Sequence, residues 1–383
     1  MKKAAIITMY HHNYNYGGQL QAYALQQAVE TFGVKCEVID CEPKTFKTKV
    51  HRFYKLGIAG TIKKYSNKTK LLLKKKHNPK FNADITKRYK RLDDFSAFIP
   101  HTPFCTPSTI KEVAKGYEYY ITGSDQVWNP TWWNNTYFLD FAPADKKRIA
   151  YAASLGNPNL NKKDEAYMSG MLNKFAAVSV RELGAKDLIK TFWQGNVESV
   201  LDPTLLFNTD FWNKIAIEPE LKEPYVFVYM PHSCPNDREK ILLFCKNNNL
   251  RMVSTKHLQY EYKEDDEKYK DITVDDMGPK EWIGYIKNAK YVFTNSFHGT
   301  AFSLIYNKNF WAFDDVPRAT NMPTGFMRLD SLLMQVDLTN RLCQTANCPS
   351  EEKLKDPIDY LQANIKLKNR REESFKFLQN ALN

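Results

Sequence analysis

Residues Lys290 to Phe313, KYVFTNSFHGTAFSLIYNKNFWAF, limit what this chain can become more than any other stretch. Tyr291, Val292 and Phe293 are an apolar run of β-formers, Ala301, Phe302, Leu304, Ile305 and Tyr306 recur at helical spacing, and Asn307-Lys308 breaks the pattern before a second apolar run. Strand, polar turn, helix, strand is the unit of a parallel α/β sheet. In such a sheet the turn lies at the carboxyl end of the strand, and the following helix points free N–H groups and the positive end of its dipole at whatever binds there. His298 stands at that helix start beside Gly299, which permits close backbone approach, and between Ser296 and Thr300, which can cap the helix or bind phosphate oxygens. An anionic ligand is the expectation for this turn.

The same unit recurs along the chain. Ala4 to Met9 reads as a first buried strand, GQLQAYALQQAVETFG as a helix ending at Gly33, and Cys36 to Asp40 as the next strand. The turn between them, Asn15-Tyr16-Gly17-Gly18-Gln19, lies where such sheets bind ligands but is not the GxGxxG of dinucleotide sites. Tyr117 to Ile121 runs into a second polar turn holding Asp125, Gln126 and Trp128. Ala177 to Arg181 delivers Arg181 and Glu182, and Val197 to Asp202 ends at Asp202-Pro203, read as a turn-former. A second series begins at Tyr225, and two amphipathic helices, Pro357 to Leu367 and Arg370 to Leu382, close the chain.

With 383 residues, two domains are expected. Residues 1–207 form an N-terminal Rossmann-like domain with a basic insertion at 44–91, residues 222–345 a C-terminal Rossmann-like domain, and residues 350–383 helices that can return to the first. The two α/β domains face a cleft.

The charge is local. Seventeen of the 55 Lys and Arg but one of the 43 acids lie between Lys44 and Arg91, so that stretch carries +16 and the rest of the chain −4. Basic clusters interleaved with leucine, as in Leu71-Leu72-Leu73-Lys74-Lys75-Lys76, suit an anionic membrane surface, with nucleic acid not favoured. No run approaches a membrane span, and Met1-Lys2-Lys3 followed by AAIITMY is too quickly polar for a signal peptide, so a cytoplasmic protein is expected. The seven cysteines include no CxxC pair, and no His and carboxylate cluster has ligand spacing, so neither a disulfide framework nor a metal is expected.

The pieces NYGGQLQAYALQ (15–26), ITGSDQVWN (121–129), YAASLG (151–156), SVRE (179–182), VLDPTLL (200–206) and TNSFHGTAFSLIYNKNF (294–310), in this order, resemble the polysaccharide pyruvyl transferase family. The resemblance implies a GT-B-like fold and transfer of a pyruvyl group from phosphoenolpyruvate to a sugar of a bacterial surface polysaccharide or its lipid-linked precursor, forming a cyclic ketal with no cofactor. On that reading His298 and Asp125 are the acid and base. Arg181, Ser296, Gly299, Thr300 and Arg328 hold the donor, and Asn15, Tyr16, Gly17, Gly18, Gln19, Gln126 and Trp128 meet the acceptor. Ser296-Phe297-His298 stands where branches of the family carry Arg-Leu-His, so either Arg328 or Arg318 supplies the missing positive charge or this branch uses a different donor. A nucleotide-sugar glycosyltransferase and a non-catalytic glycan- or membrane-binding scaffold are the alternatives.

Overall fold

Short apolar runs separated by helices can satisfy their backbone groups by lying side by side in parallel, covered on both faces. In the computed structural model they do so twice. The structure describes residues 2–43, 62, 66, 69, 70, 72–131, 133–156, 159–231, 235–256, 265–314, 325, 327–343 and 348–383. The first sheet contains β1 (Lys3–Ile7), β2 (Lys35–Val38), β3 (Tyr119–Thr122), β4 (Lys147–Ala153), β5 (Ala177–Val180) and β6 (Val197–Ser199) in the order β2-β1-β3-β4-β5-β6. The second contains β7 (Tyr225–Tyr229), β8 (Arg251–Ser254), β9 (Ile272–Thr273), β10 (Tyr291–Thr294), β11 (Asn309–Phe313) and β12 (Leu342–Cys343) in the order β12-β11-β10-β7-β8-β9. All pairings between these strands are parallel. The expected α/β architecture of two Rossmann-like units is therefore present.

The strand orders decide where ligands can go. Each order reverses direction at one place, between β1 and β3 in the first sheet and between β7 and β10 in the second. Loops leaving opposite sides of such a reversal part and open a crevice at the carboxyl edge. The turn holding Asn15 follows β1, the turn holding Asp125 follows β3, and the turn holding His298 follows β10. The three polar turns picked out by sequence thus stand at the two switch points.

The helix Tyr16–Glu30 is buried on almost every side, glutamines included. Each buried glutamine is stitched to a different neighbour: Gln19 Nε2 donates to Leu92 O and Ser96 Oγ, Gln21 Nε2 to Thr8 Oγ1, and Gln26 Nε2 to Cys36 O. Tyr16 carries the helix into the second unit. Its ring stacks on Trp282 with centroids 5.7 Å apart, and its hydroxyl donates to Met277 O at 3.1 Å. One apolar core, including Leu20, Trp212, Trp282 and Phe302, runs through this junction.

Part of the basic tract belongs to the same junction. Asn78 caps the helix Pro79–Phe98 by accepting from Phe81 N at 2.9 Å, with proline at the first turn, where its missing N–H costs nothing. Phe81, Ile85, Leu92 and Phe95 face inward. Arg88 donates to Lys256 O, Arg91 donates to Asp276 O at 2.9 Å, Lys87 pairs with Asp276 at 3.2 Å, and Lys74 pairs with Glu267. Within the basic insertion expected at 44–91, the charges of these residues strap the first unit to the second. Lys63, Lys64 and Arg318 lie outside the described residues.

The end of the chain also differs from expectation. A single helix, Leu361–Leu382, replaces the two expected, because no glycine or proline interrupts Leu367 to Arg370. It crosses back to the first unit, where Ser374 Oγ accepts from Leu201 N at 3.0 Å and Arg370 Nη2 donates to Ser199 O at 2.8 Å. The described cysteines are free thiols, and none of the described helices is long and apolar enough to cross a membrane.

Candidate active site

The turn after β10 is built as its sequence requires. Ser296 caps the helix Phe297–Ile305, its Oγ accepting from Gly299 N at 3.3 Å, and Thr300 Oγ1 donates back to Ser296 O at 3.2 Å. A Cβ on Gly299 would come within 2.4 Å of Thr294 Oγ1, so glycine is needed for the close approach of helix and strand. Of the two uses the sequence allowed, the Ser296 hydroxyl is put to capping, and the Thr300 hydroxyl is bonded back to the carbonyl one turn earlier. This leaves His298 as the group the turn projects, and it is 7% exposed.

The projected ring enters the first unit. A Cβ on Gly17 would lie 2.1 Å from His298 Nδ1, so the imidazole rests directly on the start of the first helix. On its other side Nε2 stands 3.7 Å from Asp202 Oδ2, near enough for charge but too far for a hydrogen bond. Asp202 is the hub of the site. Its Oδ1 does the turn-forming work expected of Asp-Pro, accepting from Thr204 N at 3.0 Å and Thr204 Oγ1 at 2.8 Å. Its Oδ2 accepts from Arg181 Nη1 at 3.1 Å and Ser124 Oγ at 3.0 Å. Burial raises the cost of its charge, yet His298, Arg181 and the Thr204 N–H together hold its carboxyl well below the ordinary range.

Arg181 is 2% exposed, not open to the crevice as expected, and is clamped between Asp202 and Glu182, whose Oε1 accepts from Arg181 Nε at 3.0 Å and from Ser154 Oγ at 2.7 Å. Although burial opposes its charge, Glu182, Asp202 and the nearby Asp125 hold the guanidinium firmly protonated. Its plane lies over the Phe297 ring, 4.1 Å from Cζ to centroid. The contact is reciprocal: the first unit's arginine meets the second unit's Phe297, and the second unit's His298 meets the first unit's Asp202. A guanidinium, that of Arg181, thus stands beside this helix start. Arg328, half-buried at the start of the helix Arg328–Met334, makes no hydrogen bond or ion pair with the described residues.

Three buried atoms here have no hydrogen-bond partner among the described residues: Arg181 Nη2, Glu182 Oε2 and His298 Nε2. Buried polar groups are satisfied in the great majority of cases, so two unmet nitrogens and an unmet oxygen in one cluster mark a place built for something else. Asp125 borders it, half-buried with a left-handed φ of 63°, its Oδ1 accepting from Gln126 N at 2.9 Å. Gly123 before it holds φ 115°, and a Cβ there would meet Tyr151 O at 2.0 Å, which explains glycine in this turn.

The expected acceptor residues are placed differently. Tyr16, Gln19 and Trp128 are at most 1% exposed. The hydroxyl of Tyr16 and the amide of Gln19 serve the junction, and Trp128 stacks flat on Phe138 at 5.5 Å while its Nε1 donates to Tyr137 O. That expectation is corrected for these three, whose bulk is consumed by packing. Asn15 caps the first helix by accepting from Gly18 N at 3.1 Å, Gly18 makes room for Asn13, and Gln126 Oε1 accepts from Asn129 Nδ2 at 2.8 Å. Asp202, Ser124 and Glu182 were not expected in the site. All three lie within or beside the motif pieces, but only tertiary packing brings their oxygens together. Among the described residues no group of three or more His, Cys, Asp and Glu is arranged to hold a metal ion.

A family model described as polysaccharide pyruvyl transferase matches residues 15–315. Among solved structures, UDP-GlcNAc 2-epimerase from Neisseria meningitidis bound to UDP-GlcNAc superposes with a TM-score of 0.51 at 10% identity, covering 99% of this chain and 100% of that one. UDP-GlcNAc 2-epimerase from Methanocaldococcus jannaschii gives 0.50 at 11% identity, covering 92% and 90%. At these identities the likeness is one of fold. No curated protein matches the sequence.

Proposed function

The chain belongs to the polysaccharide pyruvyl transferase family, and from that premise we propose that it moves the pyruvyl group of phosphoenolpyruvate onto a sugar of a bacterial surface polysaccharide or its lipid-linked precursor. The observation that carries this reading is the set of unmet nitrogens, Arg181 Nη2 and His298 Nε2, beside a half-buried carboxylate. A donor bearing a phosphate and a carboxylate needs preorganised N–H groups of this kind. In ketal formation the enol methylene carbon takes a proton, the neighbouring carbon exchanges its phosphate ester oxygen for two sugar oxygens, and phosphate leaves. The two hydroxyl protons balance the new methyl hydrogen and the proton carried off by phosphate. His298 is placed to give or take one of these protons and Asp125 the other, while Arg181 holds an oxyanion of the donor. Because the cluster is nearly closed, the donor enters when the two units part.

Incubation with phosphoenolpyruvate and candidate glycans tests this directly. The expected result is phosphate release that depends on the glycan and is lost in His298→Ala. Release of a nucleoside diphosphate from a nucleotide sugar instead would make the protein a glycosyltransferase, and glycan binding with no turnover of either donor would make it a scaffold.

A lipid-linked acceptor would bring the enzyme to the inner face of the cytoplasmic membrane. Leu72 and Leu73 are more than half exposed, and Lys76 and Lys80 nearby are exposed as well, which suits shallow contact with an anionic leaflet. Phosphatidylglycerol vesicles are expected to sediment the wild-type protein, and Lys76→Gln with Lys80→Gln to weaken this by roughly 1 kcal/mol per charge at low salt. Unchanged sedimentation would rule out this surface.

A further inference from the structure

The loop from β1 to the first helix holds a second constellation that the cluster around His298 does not use. His11 and His12 have ring centroids 4.2 Å apart, His11 lies 4.8 Å from Phe104, His12 6.0 Å from Tyr14, and Tyr14 4.6 Å from Tyr89. Two of these rings face outward, Phe104 at 54% exposed and His12, which is exposed on a left-handed φ of 44°, while His11, Tyr14 and Tyr89 are half-buried behind them. Aromatic side chains normally repay their cost by burial, so a row of them held at a sheet's carboxyl edge needs an occupant.

Beside the rings lies a polar handle. His11 Nδ1 is 2.7 Å from Asp40 Oδ1, two residues past β2. The contact orients the ring and turns Nε2, to which no described residue bonds, toward whatever occupies this edge. An aromatic face next to one oriented hydrogen-bonding ring nitrogen is the chemistry that recognises a pyranose, whose C–H face is apolar and whose rim is hydroxyls that both donate and accept. The location agrees. His11 is six residues before Gly17, on which His298 rests, so the two are no more than roughly 20 Å apart along the chain, and both border the β1/β3 switch point.

We propose that His12, Phe104 and Tyr14 form a stacking subsite for a sugar ring of the acceptor, and that His11, oriented by Asp40, holds one of its hydroxyls. The subsite rests on the pyruvyltransferase reading only for what happens to the sugar afterwards. Sugar binding is therefore measured without donor, by saturation-transfer NMR on the whole chain with the methyl glycosides of galactose, glucose, mannose and N-acetylglucosamine. At least one glycoside is expected to give ring-proton signals. In Phe104→Ala and His12→Ala, both exposed positions whose folding is checked by thermal unfolding, its affinity should fall roughly three- to tenfold, the worth of one stacked aromatic. His11→Asn should weaken it too while leaving the unfolding midpoint unchanged. No signal from any glycoside, or signals undiminished in the variants, overturns the subsite. Phosphate release from phosphoenolpyruvate is followed in parallel: binding lost in the variants without release in the wild type keeps the subsite and removes the donor reading, and release in the wild type with unaltered binding in the variants does the reverse.

Discussion

Asp202→Asn is expected to lower the stability of the folded chain by about 3–5 kcal/mol, the usual consequence of removing one partner from a buried ion pair. The side chain keeps its size, so no cavity is made. What changes is that Arg181, 2% exposed, loses the anion at its Nη1 and keeps Glu182 at its Nε, with Asp125 nearby. Urea unfolding measures the difference, and a loss below about 1 kcal/mol would mean that the hub is not a hub. Acid separates this effect from others. A carboxyl whose folded pKa is depressed adds stability that is complete above its ordinary value of 3.8 and disappears as pH falls through the lower, folded value. Wild-type stability should therefore drop on acidification below about pH 4, with Asp202 contributing up to roughly 1.4 kcal/mol per pH unit, and the Asn variant should fall less steeply. Glu267, held down to about 2 by Lys270, Lys74 and Lys256 against the cost of its burial, titrates in both proteins, so it cancels in the difference.

Gly17→Ala is the second large effect, and it should appear in rate more than in stability. Alanine is the better helix former by about 1 kcal/mol, but its Cβ would stand 2.1 Å from His298 Nδ1. One of the two must move. Overpacking of this kind costs about 1–3 kcal/mol, so the chain should still fold, with the imidazole displaced or the two units held apart. A misplacement of about 1 Å at a reacting group can cost about a hundredfold, which is the expected fall in glycan-dependent phosphate release. Gly170→Ala is the control, since a Cβ there meets nothing within 4 Å. A Gly17→Ala enzyme with wild-type turnover would show that His298 does not work from this position.

Much of the site was legible because its local parts have local signatures. A β-former run, a Ser before a helical pattern and a glycine at the point of closest approach specify the turn at His298 without reference to the rest of the chain. Asp202 was legible by half: Asp-Pro announces a turn, and one carboxylate oxygen makes it. The other oxygen binds Arg181 and Ser124, which are 21 and 78 residues away in sequence, and no pattern records that. Tyr16, Gln19 and Trp128 misled for the opposite reason. Aromatic and amide side chains next to a glycine turn suit a ligand and suit a domain junction equally, and only packing distinguishes the two.

The sequence alone determined the parallel α/β class, the order of its elements and the turn that presents His298, because these follow from periodicities of a few residues and from the stereochemistry of glycine and capping groups. The tertiary structure decided which groups that histidine meets. The approach of Asp202, Arg181 and Gly17, like that of His11 and Phe104, is fixed by two sheets closing over one apolar core, and burial energy carries no mark of which distant polar atoms it will bring within reach.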